Sequence, residues 1–358
     1  MPSLKEIKGR INSISSTLAI TSAMKMVAAA KLQKAQMAIQ NMLPYERRLY
    51  SMLLDLMGAM NISAAASEDG SVRGSGSAER GFDQSGDRLS LSNRHDLAGM
   101  DGAYSLMAQR EVRKVAIVAF ASNSSLCGAF NSNVIREATA VINEYRASGL
   151  GDADITVYSV GRKMAEAMRK LGFPSPADFT KMSDSPSYDA ASALAQELFD
   201  GFVSGRFDKV ELVYNHYKST SSQPTTRQTY LPLSLADAIA DLQAGKIADS
   251  ASESDTNRGA EPVGAPVVRQ GSPTTEDLIV EPSKEALIAT LLPKVIRLRI
   301  FTTLLDSAAA EHAARTVAMQ LATDNGNDLL QELTLEYNKG RQQKITSEIL
   351  DLVGGSMQ

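Results

Sequence analysis

Three histidines, His95, His216 and His312, and a single cysteine, Cys127, are the residues of this chain best suited to proton transfer, nucleophilic attack or metal binding. No two of them fall in a ligand spacing such as H-x-x-x-H, so neither a zinc module nor an internal disulfide can be assembled from them. Cys127 precedes Gly128 in the stretch Ala121 to Asn131, which joins an apolar run to a helix-forming one. A thiolate there could be stabilised by a helix N-terminus. No base is paired with it, and a packed, inert thiol is the better-supported reading. The same stretch has neither the G-x-G-x-x-G nor the P-loop spacing, and Gly161 after the next apolar run stands alone, so no phosphate cradle is indicated. Carboxylates are abundant but define no acid/base pair. The residues therefore point to no catalytic, cofactor-binding or metal-binding set, and the chain does not read as an enzyme.

The elements around these residues suggest mechanical work instead. The 358 residues carry 41 acidic and 37 basic side chains, a net charge of −4 that gives no bulk attraction to nucleic acid. With 43% hydrophobic residues the chain can bury a core, and its length suggests about two domains. No apolar run approaches the roughly 18 residues of a membrane span, and Met1 to Lys8 carries charge where a secretory signal would be apolar. A soluble, intracellular chain is expected, attached to a membrane only through other subunits.

From Ile7 apolar side chains recur at Ile11, Ile14 and Leu18, then from Ala28 through Leu32, Ala35, Ile39 and Met42, and again from Leu49 through Leu53 and Leu56 to Met60. Steps of three and four keep one register across about eight heptads, with interruptions at Thr21, Lys25 and Glu46. Pro44 predicts a kink in this helix, over 1–60. A second long helix, over 282–358, is expected to start at an N-cap Ser283 and to bend at Pro293. Its seam is traced through Leu298, Leu305, Ala308, His312, Arg315, Met319 and Ala322, then less regularly through Leu333, Ile345, Ile349 and Leu352. Neither helix can bury its stripe alone, so the economical arrangement is a long antiparallel coiled coil of the N- and C-terminal helices.

The middle forms a separate insert. Buried strands at 113–120, Ile155 to Val160 and Lys209 to Asn215 alternate with helices at Ala129 to Ala147, after Gly161, and at Tyr188 to Ser204. That alternation predicts a Rossmann-like doubly wound α/β domain over 112–235 with a largely parallel sheet. Residues 61–111 read as a polar linker or insertion, and 236–281 as an acidic low-complexity insertion with an excess of six negative charges. Residues 1–60 lean the other way, with five excess positive charges that suit either a solvated face or an acidic partner.

Two segments are more specific. Ile20-Thr21-Ser22-Ala23-Met24-Lys25-Met26-Val27-Ala28-Ala29-Ala30-Lys31-Leu32 near the start, and Met319 to Gly326 with Leu335 to Thr346 near the end, closely resemble the terminal helices of the gamma-subunit family of F-type ATP synthases. The likeness extends to Leu126-Cys127-Gly128 and Glu281-Pro282. It implies a central-stalk rotor with no cofactor and no nucleic acid, present once per complex. Its implied partners are three alpha and three beta subunits, the epsilon subunit and the membrane ring of c subunits. By the same resemblance, Met24, Lys25, Arg315, Arg341, Gln342 and Thr346 are the expected stator-facing and coupling contacts. The implied location is the cytoplasmic face of a bacterial inner membrane, held peripherally. The two polar insertions depart from the simplest family pattern, and with Cys127 alone no internal dithiol switch can form. Two rival readings remain: a coiled-coil tether or scaffold carrying an α/β domain, and a nucleotide-dependent enzyme built on that domain.

Overall fold

A computed structural model describes residues 3–59, 110–233 and 284–356. The expected insertions therefore lie outside the described residues, apart from 110–111, as do His95 and the expected cap Ser283. In chain order the elements are α1 (Leu4–Ala59), β1 (Val115–Phe120), α2 (Phe130–Ala147), a 3-10 turn at Asp152–Asp154, β2 (Ile155–Val160), α3 (Arg162–Lys170), α4 (Thr180–Asp184), α5 (Tyr188–Val203), β3 (Lys209–Asn215), β4 (Thr225–Leu231) and α6 (Lys284–Ser356).

The 56 residues of α1 and the 73 of α6 make rods of about 84 and 110 Å at a rise of 1.5 Å per residue. Ser3 starts α1, its Oγ accepting from the Glu6 N–H at 3.3 Å. Both Pro44 and Pro293 lie inside continuous helices. The rods run antiparallel: Leu4 meets Gly340, Leu18 meets Gly326, Thr21 bonds Thr323, and Tyr50 bonds Arg299. The register of α1 is more regular than the apolar residues alone indicate. Every position in the series 4, 7, 11, 14, 18, 21, 25, 28, 32, 35, 39, 42, 46, 49, 53 and 56 is at least partly buried. Thr21, Lys25 and Glu46 thus belong to the seam as its polar members; Thr21 bonds Thr323 at 3.0 Å and Glu46 accepts from Thr302 at 3.1 Å.

The expected seam of α6 needs two corrections. Beyond Met319 it passes through Thr323, Gly326, Leu330, Leu333, Tyr337 and Gly340, while Ala322 is exposed. Ile345, Ile349 and Leu352 are exposed too, because α1 begins at Leu4 opposite Gly340 and no other described element covers them. Residues 341–356 carry α6 about 24 Å past the described start of α1.

In the α/β domain the strand order is β2-β1-β3-β4. β1 pairs in parallel with β2 and β3, and β4 closes one edge antiparallel, giving the expected largely parallel sheet. Val115 to Phe120 is buried on both faces, which explains its unbroken apolar run. Ile117 and Ala119 pack with Val134, Val141 and Met164 from α2 and α3. On the opposite face Val118 and Phe120 meet Leu194 and Leu198 of α5, together with Leu53 of α1 and Leu292 and Ile296 of α6. The sheet is thus wound on both sides, and the base of the coil is part of its core.

Candidate functional site

In open α/β sheets ligands enter at the carboxyl ends of the strands, where the winding reverses. Here α6 lies across that edge. Leu304, Ser307, Ala308 and Glu311 of α6 close over Phe120, Ala121 and Val160, leaving a cavity of about 10 Å³, room for about one water. Gly161 has φ +96°, and a Cβ on it would stand 2.0 Å from the Ala121 carbonyl oxygen. Its glycine allows close backbone packing between the ends of β1 and β2. Cys127 is buried with Phe130 and Ala310, and Asn131 Nδ2 donates to its Sγ at 3.2 Å.

The two described histidines serve separate contacts. His216 Nδ1 lies 2.6 Å from Asp306 Oδ2, and the carboxylate holds the imidazole above its ordinary value. His312 is pushed down to about 4 by burial and by Arg315 and Lys31, and its Nδ1 is buried with no hydrogen-bond partner. Beside it, burial outweighs the attraction of Arg315 and lifts the Glu311 carboxyl. Among the described residues no cluster of His, Cys, Asp and Glu could hold a metal ion.

The six residues singled out by resemblance fall in three places. Met24 and Lys25 are half-buried on α1, just past the Thr21–Thr323 pair. Arg341, Gln342 and Thr346 are exposed on the last turns of α6, where Thr346 Oγ1 donates to the Gln342 carbonyl at 2.9 Å. Met24 and Gln342 are separated by about 33 Å along the coil, counting 1.5 Å per residue either side of that pair. Arg315 turns inward: its side chain is 11% exposed and donates to Glu311 Oε1 at 2.8 Å and to Ser124 Oγ at 2.6 Å. It ties α6 to the turn after β1.

Among the described residues, exposed apolar side chains of the coil are concentrated on its far half. Met26 and Val27 on α1, and Leu335, Ile349, Leu350 and Leu352 on α6, are exposed, Met26 by 65% and Leu352 by 75%. Isolated exposed apolar residues are ordinary, but a rod carrying them on both helices and along a bare helical end presents a contact surface. Among the contacts that hold this rod to the domain, those of Tyr217 and Asp306 were not singled out from the sequence. The linear signal of Tyr217 is a short polar segment, His216-Tyr217-Lys218-Ser219-Thr220, which reads as an ordinary loop, and Asp306 reads as one acidic residue of a long helix.

Comparison with known proteins is consistent along the whole chain. The family model described as ATP synthase matches residues 3–357. The ATP synthase gamma chain of Phocaeicola vulgatus is 47% identical over 357 residues, covering 100% of both chains. That of Bacteroides thetaiotaomicron is 45% identical over 358 residues, again covering 100% of both. A cryo-EM structure of the Euglena gracilis mitochondrial ATP synthase contains a chain with the same fold, at a TM-score of 0.52 and 18% identity, covering 99% of this chain and 93% of that one. With the paired terminal helices, the capped sheet edge and a full-length match, the chain belongs to the ATP synthase gamma-chain family.

Proposed function

We infer that this chain is the central-stalk rotor subunit of an F-type ATP synthase, a non-catalytic shaft that couples ion flow through a membrane ring to the conformational cycle of an alpha/beta catalytic hexamer. The observation that carries this reading is the family match over residues 3–357 in a chain whose far coil exposes apolar side chains on both helices. The α/β domain forms the foot, and the coil rises from it. Since α6 outruns α1, the tip is a single helix and presents different sides to its surroundings as it turns. Surrounding subunits in a ring would each meet a different face at any instant.

In this reading the partners are three alpha and three beta subunits around the coil, and the epsilon subunit and c-ring at the foot, with one copy of the chain per complex. The Euglena structure is of an assembly containing a c-ring. Met24, Lys25, Arg341, Gln342 and Thr346 are the proposed contacts with the hexamer, and Arg315 couples shaft to foot from within. No helix among the described residues is long and apolar enough to cross a membrane, which fits a peripheral position at the cytoplasmic face of a bacterial inner membrane. The test is assembly of the matching alpha and beta subunits with and without this chain. The expected result is a complex of three alpha, three beta and one copy of this chain, with multisite ATP hydrolysis that depends on it. Absence of association, with unchanged hydrolysis, would return the chain to the tether reading.

A further inference from the structure

A shaft can deliver torque only if its foot cannot slip around it, and the contacts between the foot and the two helices show where slippage is resisted. Much of that interface is apolar, as at Val118, Phe120, Leu53 and Leu292. Apolar burial is strong but non-directional, so it opposes separation better than sliding. One loop, after β3, adds directional contacts to both helices at once. Tyr217 packs against Leu32, Ala309 and Ala313 on one side and against Cys127, Phe130 and Ala310 on the other, bringing its ring to α1, α6 and the turn after β1. Its hydroxyl accepts from Gln36 Nε2 of α1 at 2.6 Å. Its backbone N–H donates to Asp306 Oδ1 of α6 at 2.9 Å, and the second oxygen of that carboxylate takes His216 Nδ1 at 2.6 Å. The loop itself is braced: His216 N–H donates to the Pro224 carbonyl, and Gln223 Nε2 to those of Ser219 and Thr220.

We propose that this loop is the joint that fixes the angle between foot and shaft, with Tyr217 as a wedge shared by both helices and Asp306 as the positioning residue that holds it. The proposal rests on the rotor reading. Neither residue needs to touch alpha or beta; both set how faithfully rotation of the foot reaches the coil.

The test uses the complete complex with its hexamer fixed to a surface and a gold rod attached to the foot through Ala140→Cys, an exposed position on α2. Cys127 is buried and leaves the label selective. In Tyr217→Phe and Asp306→Asn the angular variance of the rod during catalytic pauses is expected to rise at least two-fold, with ATP hydrolysis by the unloaded complex unchanged. Gln36→Leu should broaden the distribution like Tyr217→Phe, and the double variant should go no further, because both remove one bond. Variants that melt at lower temperature yet keep the wild-type variance would overturn the joint and leave an ordinary packing role. A wild-type complex that turns over but does not rotate would instead overturn the rotor reading itself.

Discussion

Glu211 shows how one residue can hold a sheet edge. It stands in the central strand β3, 1% exposed. Burial would lift its carboxyl, but hydrogen bonds from Arg227, Lys209 and Tyr145 outweigh that and keep it below the usual range. Arg227 reaches it bidentately at 2.7 and 3.1 Å from the antiparallel strand β4, and Tyr145 donates from α2 at 2.7 Å. Removing the carboxylate leaves the half-buried Arg227 and Lys209 without their shared partner and the Tyr145 hydroxyl without its acceptor, so Glu211→Ala is expected to lower stability by about 1–3 kcal/mol in urea denaturation of the isolated chain. The two described histidines give opposite pH arms. Asp306 holds His216 high, so their pairing stabilises the fold fully below about pH 6.5 and is lost as pH rises through the raised folded value. His312 is held down to about 4, so the unfolded chain takes up its proton first and stability falls as pH drops from about 6.5 toward that value. Thermal melts across pH should therefore lose only the alkaline arm in Asp306→Asn and only the acidic arm in His312→Gln. At the coil surface, Met24→Ala and Gln342→Ala should leave the melt of the free chain within about 0.5 kcal/mol of wild type while slowing hydrolysis by the assembled complex several-fold.

For the elements, the seam is the informative object. Its period was readable because apolar residues at steps of three and four leave little choice of register on α1. Its course on α6 was misread after Met319, since Thr323, Gly326 and Gly340 give no apolar signal. They are seam positions through what faces them: a Cβ at Gly326 would stand 2.6 Å from Leu18 Cδ2. Leu18 fills the notch that the missing side chain leaves. Gly326→Ala gains up to about 1 kcal/mol of helix propensity but overpacks the seam by about 1–3 kcal/mol, so the coil should melt earlier by circular dichroism. Adding Leu18→Ala should relieve the overpacking and restore part of the loss, whereas a further drop equal to that of Leu18→Ala in the wild-type background would show that the two do not meet.

Across the whole molecule, the chain divides into a foot that is wound into the coil and a tip that is not. Residues 341–353 carry exposed side chains wherever they are described, and Lys344 and Glu348 pair with each other along the helix at 3.8 Å. Ending the chain after Gly340 should shift the melt of the free protein by no more than a degree or two, because little buried area is lost, yet weaken its retention in the alpha/beta complex on native gels. The division into a terminal coil and a central α/β domain was legible in the linear order of residues, since hydrophobic period and strand–helix alternation are local properties. The closure of the sheet edge by α6 was not legible, nor was the inward turn of Arg315, the free end beyond Gly340 or the grip of Tyr217 and Asp306. Each joins residues about a hundred or more apart in the chain, and which side chains meet there depends on how two rods of unequal length are set against one sheet.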